Sequence, residues 1–193
     1  KCHTFLSKNE SRKLVKNISA LSLSRLAVII TNGTDNIVIS KFMNLAIVGC
    51  ASNYIMITQS VSSLVESIFG PLLSSIGNLC VSESNEKKYE MFNNLSFLSF
   101  WLYCFCSITT FCLATPFVKL VFGKNLIIPT EAIFFLSFDI FCTGLYRVAT
   151  LFRTAEGLFW YGKFRPLIQS ILNLFFTLLL VSWSGQLWAV YAG

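Results

Sequence analysis

The sequence has few charged residues for its size. Only 12% of its 193 residues are Asp, Glu, Lys or Arg, whereas a typical soluble domain carries about 25%. It contains four prolines and a single histidine, His3. Apolar residues make up 54% of the chain and include 19 phenylalanines. This composition excludes a disordered chain, a coiled coil and an ordinary cytosolic enzyme, and it favours a protein whose solvent is the lipid bilayer.

Sequence motifs for catalysis and metal binding are also missing. The seven cysteines form no C-x-x-C pair, so they indicate neither a zinc site nor a disulfide framework. Most of them lie in or beside apolar stretches, where cysteine acts as a small hydrophobic residue. No Gly-rich phosphate loop, H-E-x-x-H or G-x-S-x-G sequence occurs. We therefore expect no enzyme activity, no cofactor and no metal.

The basic residues give the chain its net charge of +6. Most of them lie between apolar stretches instead of alternating with aromatic residues along one face, so nucleic acid is not an expected partner. Ten fall in connections on the N-terminal side of the predicted membrane, and three on the other side. Because loops that stay in the cytoplasm are enriched in Lys and Arg, this asymmetry predicts a cytoplasmic N-terminus.

The apolar stretches predict an all-α integral membrane protein with five transmembrane helices and the start of a sixth. We expect a basic cytoplasmic approach over 1–17 and a transmembrane lobe over 18–193. The predicted helices cover 18–42, 47–79, 91–114, 130–152, 166–181 and, cut short, 187–193. Gly70-Pro71 predicts a kink, 82–88 a loop, and Pro116 the start of the next connection. The first residue is not Met, so we expect an internal piece of a longer chain.

Polar residues recur on one face of three predicted helices, at about 100° per residue. The three stripes are Ser22, Arg25, Asn32, Asp35 and Asn36; Ser52, Gln59, Ser63, Glu66, Gly70 and Ser74; and Asp139, Thr143, Arg147, Thr150 and Thr154. Polar side chains within a membrane usually face a bundle interior or a water-filled cavity. Their alternative role is to hold helices together, or to reach the interface as long arginine side chains do. Arg147 and Asp139 are too far apart to pair, so Arg147 requires another partner or a ligand.

Several segments together resemble one family. They read NGTDNIVIS over 32–40, VGCASNY over 48–54, SIGNL over 75–79, and FRTAEGLFW over 152–160 followed by KFRP over 163–166. These segments resemble the C-terminal half of bacterial polysaccharide flippases. That family exports lipid-linked oligosaccharide repeat units and belongs to the multidrug/oligosaccharidyl-lipid/polysaccharide superfamily.

The resemblance implies one lobe of a two-lobed transporter in the bacterial cytoplasmic membrane. A V-shaped cavity between the lobes would move an undecaprenyl-pyrophosphate-linked glycan outward by alternating access, for capsule or exopolysaccharide synthesis in the cell envelope. The implied partners are the N-terminal lobe of the same polypeptide, the glycan substrate and membrane lipid. Two positions depart from the family pattern: Ala51 replaces a usual tyrosine and Thr154 a usual acid, for which Glu156 is near enough to substitute.

Site residues are predicted from depth and charge. The candidate substrate-binding residues are Arg25, Asn32, Asn36, Arg147 and Arg153, and the candidate ion-coupling residues are Asp35 and Asp139. Arginine suits a pyrophosphate because its planar fork binds phosphate oxygens bidentately. The two arginines within spans lie in the predicted inner half, whereas both aspartates lie in the outer half, where an external proton or sodium ion would reach them.

Two other functions fit the sequence. The first is a drug or metabolite antiporter of the same superfamily, whose cavity should be more apolar and acidic than one containing arginines. The second is a membrane scaffold that transports nothing. A scaffold should pair its polar stripes internally and leave no open polar cavity.

Overall fold

The computed structural model describes residues 8–42, 45–158 and 164–192, with only part of the side chains between 8 and 45. These residues form seven α-helices and one 3₁₀ turn, and the described part contains no strand. The helices are α1 (Lys8–Phe42), α2 (Leu45–Phe69), α3 (Leu72–Ser82), α4 (Asn85–Val121), α5 (Thr130–Ala155), α6 (Arg165–Ser184) and α7 (Trp188–Ala192), with the 3₁₀ turn at Lys124–Leu126.

Four stretches of the described chain are long and apolar enough to cross a membrane. They are Ala46–Ser82, Asn85–Val121, Thr130–Ala155 and Arg165–Ser184. The expectation of an all-helical, multi-pass membrane protein is confirmed at that level. Helix α1 has 35 residues, but many of its side chains lie outside the described residues, and it is not among the four. The predicted count of five spans is therefore not confirmed.

Helix α1 begins earlier than the sequence predicts. Its first residue is Lys8 instead of residue 18, so more than half of the predicted approach over 1–17 is helical. The remainder of that approach, residues 1–7, lies outside the described residues. The charged residues of this segment do not oppose helix formation, because Lys, Arg and Glu are good helix formers.

Helix α4 is longer at both ends than the predicted helix over 91–114. It begins at Asn85, so the predicted loop over 82–88 shrinks to two residues between α3 and α4. Ser84 precedes the helix with an extended backbone and Glu86 lies in its first turn, where a negative charge complements the helix dipole. The Nζ atom of Lys87 lies 2.8 Å from Oε2 of Glu83.

Pro116 does not begin a connection as predicted. It lies within α4, which continues to Val121. Membrane helices tolerate an internal proline because neighbouring helices can satisfy the carbonyl that loses its partner. The connection begins instead at Phe122 and includes Gly123, whose φ of +97° lies in the left-handed region that glycine adopts without strain.

The remaining helices differ from their predicted bounds by a few residues. The predicted kink at Gly70-Pro71 is a two-residue break between α2 and α3. Helix α5 begins at Thr130, as expected, but extends three residues beyond the predicted end. Helix α6 runs through the predicted turn over 182–185 to Ser184, and Gly185 ends it with φ of +63°.

The buried apolar residues form two clusters at opposite ends of the bundle. We call the end with the α3–α4 and α5–α6 connections the basic end, because Lys87, Lys88, Arg153 and Arg165 lie there. The basic-end cluster contains Val65, Phe69, Ile76, Leu95, Tyr103, Ile140, Val148 and Leu151. The opposite-end cluster contains Val38, Ile39, Tyr54, Ala114, Val118, Ile128, Ala132, Ile133, Val181, Leu187, Ala189 and Val190.

Membership of the two clusters divides the helices into two groups. Helices α1, α6 and α7 contribute residues only to the opposite-end cluster. The basic-end cluster is built from α2, α3, α4 and α5, and α2, α4 and α5 also contribute to the opposite-end cluster. Helix α6 packs mainly against α1 and α7, while α5 packs mainly against α4 and α3. The two groups are therefore joined at the opposite end, and a cleft lies between α5 and α6.

Helices α4 and α5 pack closely against each other. Gly144 faces Tyr103 so closely that a Cβ atom built on it would lie 2.4 Å from the tyrosine Cβ. The hydroxyl of Ser99 donates to the Gly144 carbonyl at 3.0 Å, and that of Ser107 donates to the Ser137 carbonyl at 2.7 Å. Small residues and interhelical hydrogen bonds of this kind are typical of helix packing in membranes.

Candidate functional site: an ion pair and a polar cleft

Arg147 and Glu66 form an ion pair between α5 and α2. An Nη atom of Arg147 donates to a carboxylate oxygen of Glu66. The arginine side chain is 17% exposed and the glutamate side chain 49% exposed. The predicted polar stripes of these two helices thus meet, and Glu66 is the partner that Arg147 requires on another helix.

The pair uses only part of the donor capacity of Arg147. A guanidinium carries five N–H donors in a planar fork. The Nε atom of Arg147 is buried and has no hydrogen-bond partner in the described part of the structure. Arg147 therefore combines a neutralising carboxylate with a buried Nε donor that has no acceptor in the described residues.

A cleft between α5 and α6 has a volume of about 890 Å³. Its polar lining consists of Asp139, Cys142, Arg165, Gln169 and Asn173. Its apolar lining is rich in aromatic rings and consists of Phe135, Phe138, Phe164, Ile168, Leu172, Phe176, Tyr191 and Ala192. An open space with polar side chains, between helices that could cross a membrane, is suited to water or a polar ligand.

Arg165 lies at the mouth of this cleft, at the basic end. Its Cζ atom lies 4.3 Å from the centroid of the Tyr146 ring on α5. At this distance the positive charge is attracted to the face of the ring, so the tyrosine orients the guanidinium. Arg165 remains exposed.

The predicted α5 stripe does not act as one unit. Asp139 lines the cleft toward α6, whereas Arg147 faces Glu66 on α2. The hydroxyls of Thr150 and Thr154 donate to carbonyls of their own helix, at 3.0 Å and 2.8 Å. These two threonines are therefore satisfied by α5 itself. The stripe contributes Asp139 and Arg147 to two different places.

The candidate residues on α1 are only partly placed by the structure. Arg25 is exposed, and the described part of the chain contains no ion pair involving it. Asn32, Asp35 and Asn36 belong to α1, but their side chains lie outside the described part of the structure. Arg153 is half-buried in the last turn of α5.

The stripe on α2 leaves an exposed polar face. Gln59 and Ser63 line a shallow cavity of about 560 Å³ on the surface of this helix. The Ser52 hydroxyl instead donates to the Val48 carbonyl at 2.7 Å, and the Ser74 hydroxyl to the Pro71 carbonyl at 3.1 Å. Of this stripe, only Glu66 is paired with another helix in the described residues.

Sequence reasoning missed the polar face of α6. Arg165, Gln169 and Asn173 recur at intervals of four residues, so they lie on one face of the helix. The same periodicity analysis that identified the other stripes would have found this one. The sequence predicts a helix that begins at residue 166, which leaves Arg165 in the preceding connection.

No protein-family profile, curated protein or solved structure matches the chain. In the described residues, no group of three or more His, Cys, Asp or Glu side chains is close enough to hold a metal ion. The functional assignment therefore depends on the site and on the resemblance of the sequence segments.

Proposed function

We propose that this chain is the C-terminal lobe of a flippase for undecaprenyl-pyrophosphate-linked polysaccharide repeat units. The observation that carries the proposal is the open cleft between α5 and α6, which contains polar and charged side chains between two stretches that can cross a membrane. Placing charged groups in lipid is costly, so they mark pathways of polar substrates or ions. The segments that resemble polysaccharide flippases supply the identity of the substrate.

The cleft also favours transport over a scaffold. A scaffold should pair its polar groups internally, as Arg147 and Glu66 do. The cleft contains Asp139 and Arg165 as well, and the two carry no ion pair in the described residues. Arg147 and Glu66 therefore pair between α5 and α2, while Asp139 and Arg165 line an open space.

In this proposal the basic end faces the cytoplasm and α1 is a fifth transmembrane helix. The anionic pyrophosphate enters at the basic end, where Arg153 attracts it. The guanidinium groups of Arg25 and Arg147 then contact its oxygens, with Asn32 and Asn36 on the α1 face. The N-terminal lobe of the same polypeptide closes the other side of the cavity.

The test is translocation of a fluorescent prenyl-pyrophosphate-linked glycan by the full-length protein in vesicles. We expect Arg25→Ala and Arg147→Ala each to lower the rate at least tenfold at equal protein abundance. Arg12→Ala, which changes an exposed arginine near the start of α1, is the matched control and should leave the rate unchanged. Unchanged translocation by both substituted proteins would overturn the assignment of these arginines.

Glu66→Gln separates the two roles of Arg147. If Arg147 only pairs with Glu66, removing either charge should have the same effect on translocation. If Arg147 binds the pyrophosphate, Glu66→Gln should retain most of the rate while Arg147→Ala loses it. Equal losses would assign Arg147 to the ion pair alone.

The position of Asp139 in the cleft favours a cation-coupled mechanism, and it keeps a drug or metabolite antiporter as the second candidate. A carboxylate there can bind a proton or sodium ion, and loading it biases the balance between two arrangements of the lobes. Transport should then respond to an imposed pH or sodium gradient, and Asp139→Asn should abolish that response. Asp35→Asn tests the α1 carboxylate in the same assay.

Transport of organic cations without any glycan transport would favour the antiporter.

A further inference from the structure

The α5–α6 cleft has different chemistry at its two ends. Its mouth at the basic end contains the guanidinium of Arg165, held over the ring of Tyr146. Deeper in the cleft are Gln169 and Asn173 on the same face of α6, with Asp139 on the wall formed by α5. Eight residues separate Arg165 from Asn173, which corresponds to about 12 Å along the helix at 1.5 Å per residue. A ligand spanning this distance would contact a cation at one end and neutral or acidic groups at the other.

The deep end requires hydrogen-bond donors. The Oδ1 atom of Asn173 is buried and has no hydrogen-bond partner in the described residues. An ionised Asp139 can only accept hydrogen bonds. A buried acceptor without a partner is costly, and buried polar groups are nearly always satisfied. Phosphate oxygens cannot satisfy these two groups because, when ionised, they accept and do not donate.

The mouth has the opposite requirement. Arg165 carries only donors and a permanent positive charge, so it binds an anion, and the oxygens of a phosphate fit its planar fork. A single ligand that suits the whole cleft therefore has a phosphate at one end and several hydroxyl or amide donors at the other. Gln169 can both donate and accept, as hydroxyl groups also do, whereas an ammonium group only donates.

We propose that the α5–α6 cleft binds the first sugar of a prenyl-pyrophosphate-linked glycan, with Arg165 on the phosphate and Gln169, Asn173 and Asp139 on the sugar hydroxyls. The proposal rests on the flippase function and adds to it a site for the sugar. Phe135, Phe138 and Phe176 supply apolar walls for the C–H faces of the ring.

The order of groups along the cleft distinguishes a head group drawn into the protein from that of a lipid resting in its leaflet. Arg165 lies at the end of a stretch that can cross a membrane, and Asn173 lies well inside that stretch. A phospholipid in its leaflet points its head group away from the hydrocarbon, so its ammonium or hydroxyl donors lie farther out than its phosphate. Here the groups that need donors lie deeper than the anion-binding group. That order fits a head group drawn into the protein.

Cys142 provides a native probe, because its thiol lines the cleft. Cys112 on α4 is exposed and does not line the cleft, so it serves as an internal control. The full-length protein, with its other cysteines replaced by serine, is placed in nanodiscs and alkylated with N-ethylmaleimide. The probes are hexosyl-pyrophosphoryl-geranylgeraniol, geranylgeranyl pyrophosphate and phosphatidylethanolamine.

We expect the hexose-containing probe to slow alkylation of Cys142 at least fivefold and to leave Cys112 unchanged. Geranylgeranyl pyrophosphate should slow it less than twofold. Asn173→Leu and Gln169→Leu should each reduce protection by the hexose probe to the level of the sugar-free probe. Arg165→Gln should raise the half-maximal concentration of the hexose probe at least tenfold. Asn78→Leu, on an exposed position of α3, is the matched control and should change nothing.

Three results would overturn the site. They are equal protection by phosphatidylethanolamine, no protection by the hexose probe, and a Cys142 thiol that is unreactive without ligand because another segment of the polypeptide fills the cleft. The thermal unfolding temperature of each variant, compared with that of the parent, shows whether lost protection reflects a lost fold. If a leucine variant is unfolded, the conservative Asn173→Ser or Gln169→Ser is measured in its place. If translocation persists but the hexose probe does not protect Cys142, the site is refuted and the flippase function is not. If the probe protects Cys142 but the protein translocates no glycan, the flippase function is refuted and the binding site is not.

Discussion

At the scale of single residues, Gly144 fixes the distance between α4 and α5. We predict that Gly144→Ala lowers the free energy of unfolding by about 1–3 kcal/mol, the usual cost of overpacking a fitted contact. The added Cβ would lie 2.4 Å from both Cβ and Cγ of Tyr103. These atoms are close to the tyrosine backbone, so a side-chain rotation cannot remove the clash. Thermal unfolding in detergent measures the effect.

Gly77→Ala is the matched control for this prediction. Gly77 lies within α3, and a Cβ built there meets no atom within 4 Å. Alanine is a better helix former than glycine by about 1 kcal/mol, so this change should preserve or raise stability. If the two substitutions lower the unfolding temperature equally, the close contact of α4 with α5 is wrong.

Glu66 and Arg147 give a second prediction at this scale. A double-mutant cycle with Glu66→Gln and Arg147→Gln should yield a coupling energy of about 0.5–2 kcal/mol, as for polar contacts between membrane helices. We expect the lower part of that range because Glu66 is 49% exposed. The free energies come from unfolding of the four proteins under one condition.

The exchanged pair Glu66→Arg with Arg147→Glu provides the control. It preserves one charge of each sign, so it should recover part of the stability that either single reversal loses. A coupling energy of zero, together with no recovery in the exchanged protein, would show that the two side chains do not interact.

At the scale of elements, α1 differs from the other long helices. It is the least apolar of them, and it packs mainly against α6, whose Ser170 hydroxyl donates to the Ala27 carbonyl at 3.1 Å. We predict that Arg25→Leu makes insertion of isolated α1 into microsomes more favourable by about 1–3 kcal/mol, since arginine is costly within a membrane-spanning segment. Glycosylation mapping measures the inserted fraction.

Arg12→Leu is the control for the α1 prediction. Arg12 lies in the charged first turns of α1, before the apolar segment, so its replacement should change insertion little. Equal effects of the two substitutions would indicate that Arg25 does not lie within the inserted segment. Insertion of native α1 that is already complete would show that it needs no other helix.

At the scale of the whole molecule, the four stretches that can cross a membrane alternate in direction, so their connections lie on two sides. We predict that a cysteine introduced at Lys87 reacts with a membrane-impermeant maleimide only from the cytoplasmic side. A cysteine at Lys124 should react only from outside, because it lies in the connection at the opposite end. Both residues are exposed. The measurement is labelling of intact cells and of inverted vesicles, after the native cysteines are removed.

The two positions are controls for each other, since each should label under the condition in which the other does not. Labelling at Lys87 from outside the cell, with Lys124 protected, would reverse the orientation. Labelling of both from one side would mean that α4 does not cross the membrane.

Sequence reasoning found the components of the site more readily than their arrangement. Periodicity placed Glu66 on a polar face of one helix and Arg147 on a polar face of another. It could not show that these faces meet, because contact between α2 and α5 depends on packing of both helices with α4. It also grouped Asp139 with Arg147, although the structure directs them to the cleft and to Glu66.

The sequence by itself determined that this protein is helical and built largely of stretches that can enter a membrane. Composition and the length of apolar stretches are local properties, and in lipid the backbone must satisfy its hydrogen bonds within each helix. Tertiary structure alone decided which polar groups pair and which remain open. The opposite-end cluster joins α1, α6 and α7 to the other helices, whereas the basic-end cluster contains no residue of these three, and α5 and α6 lie apart along the cleft. That separation depends on contacts between residues far apart in the chain.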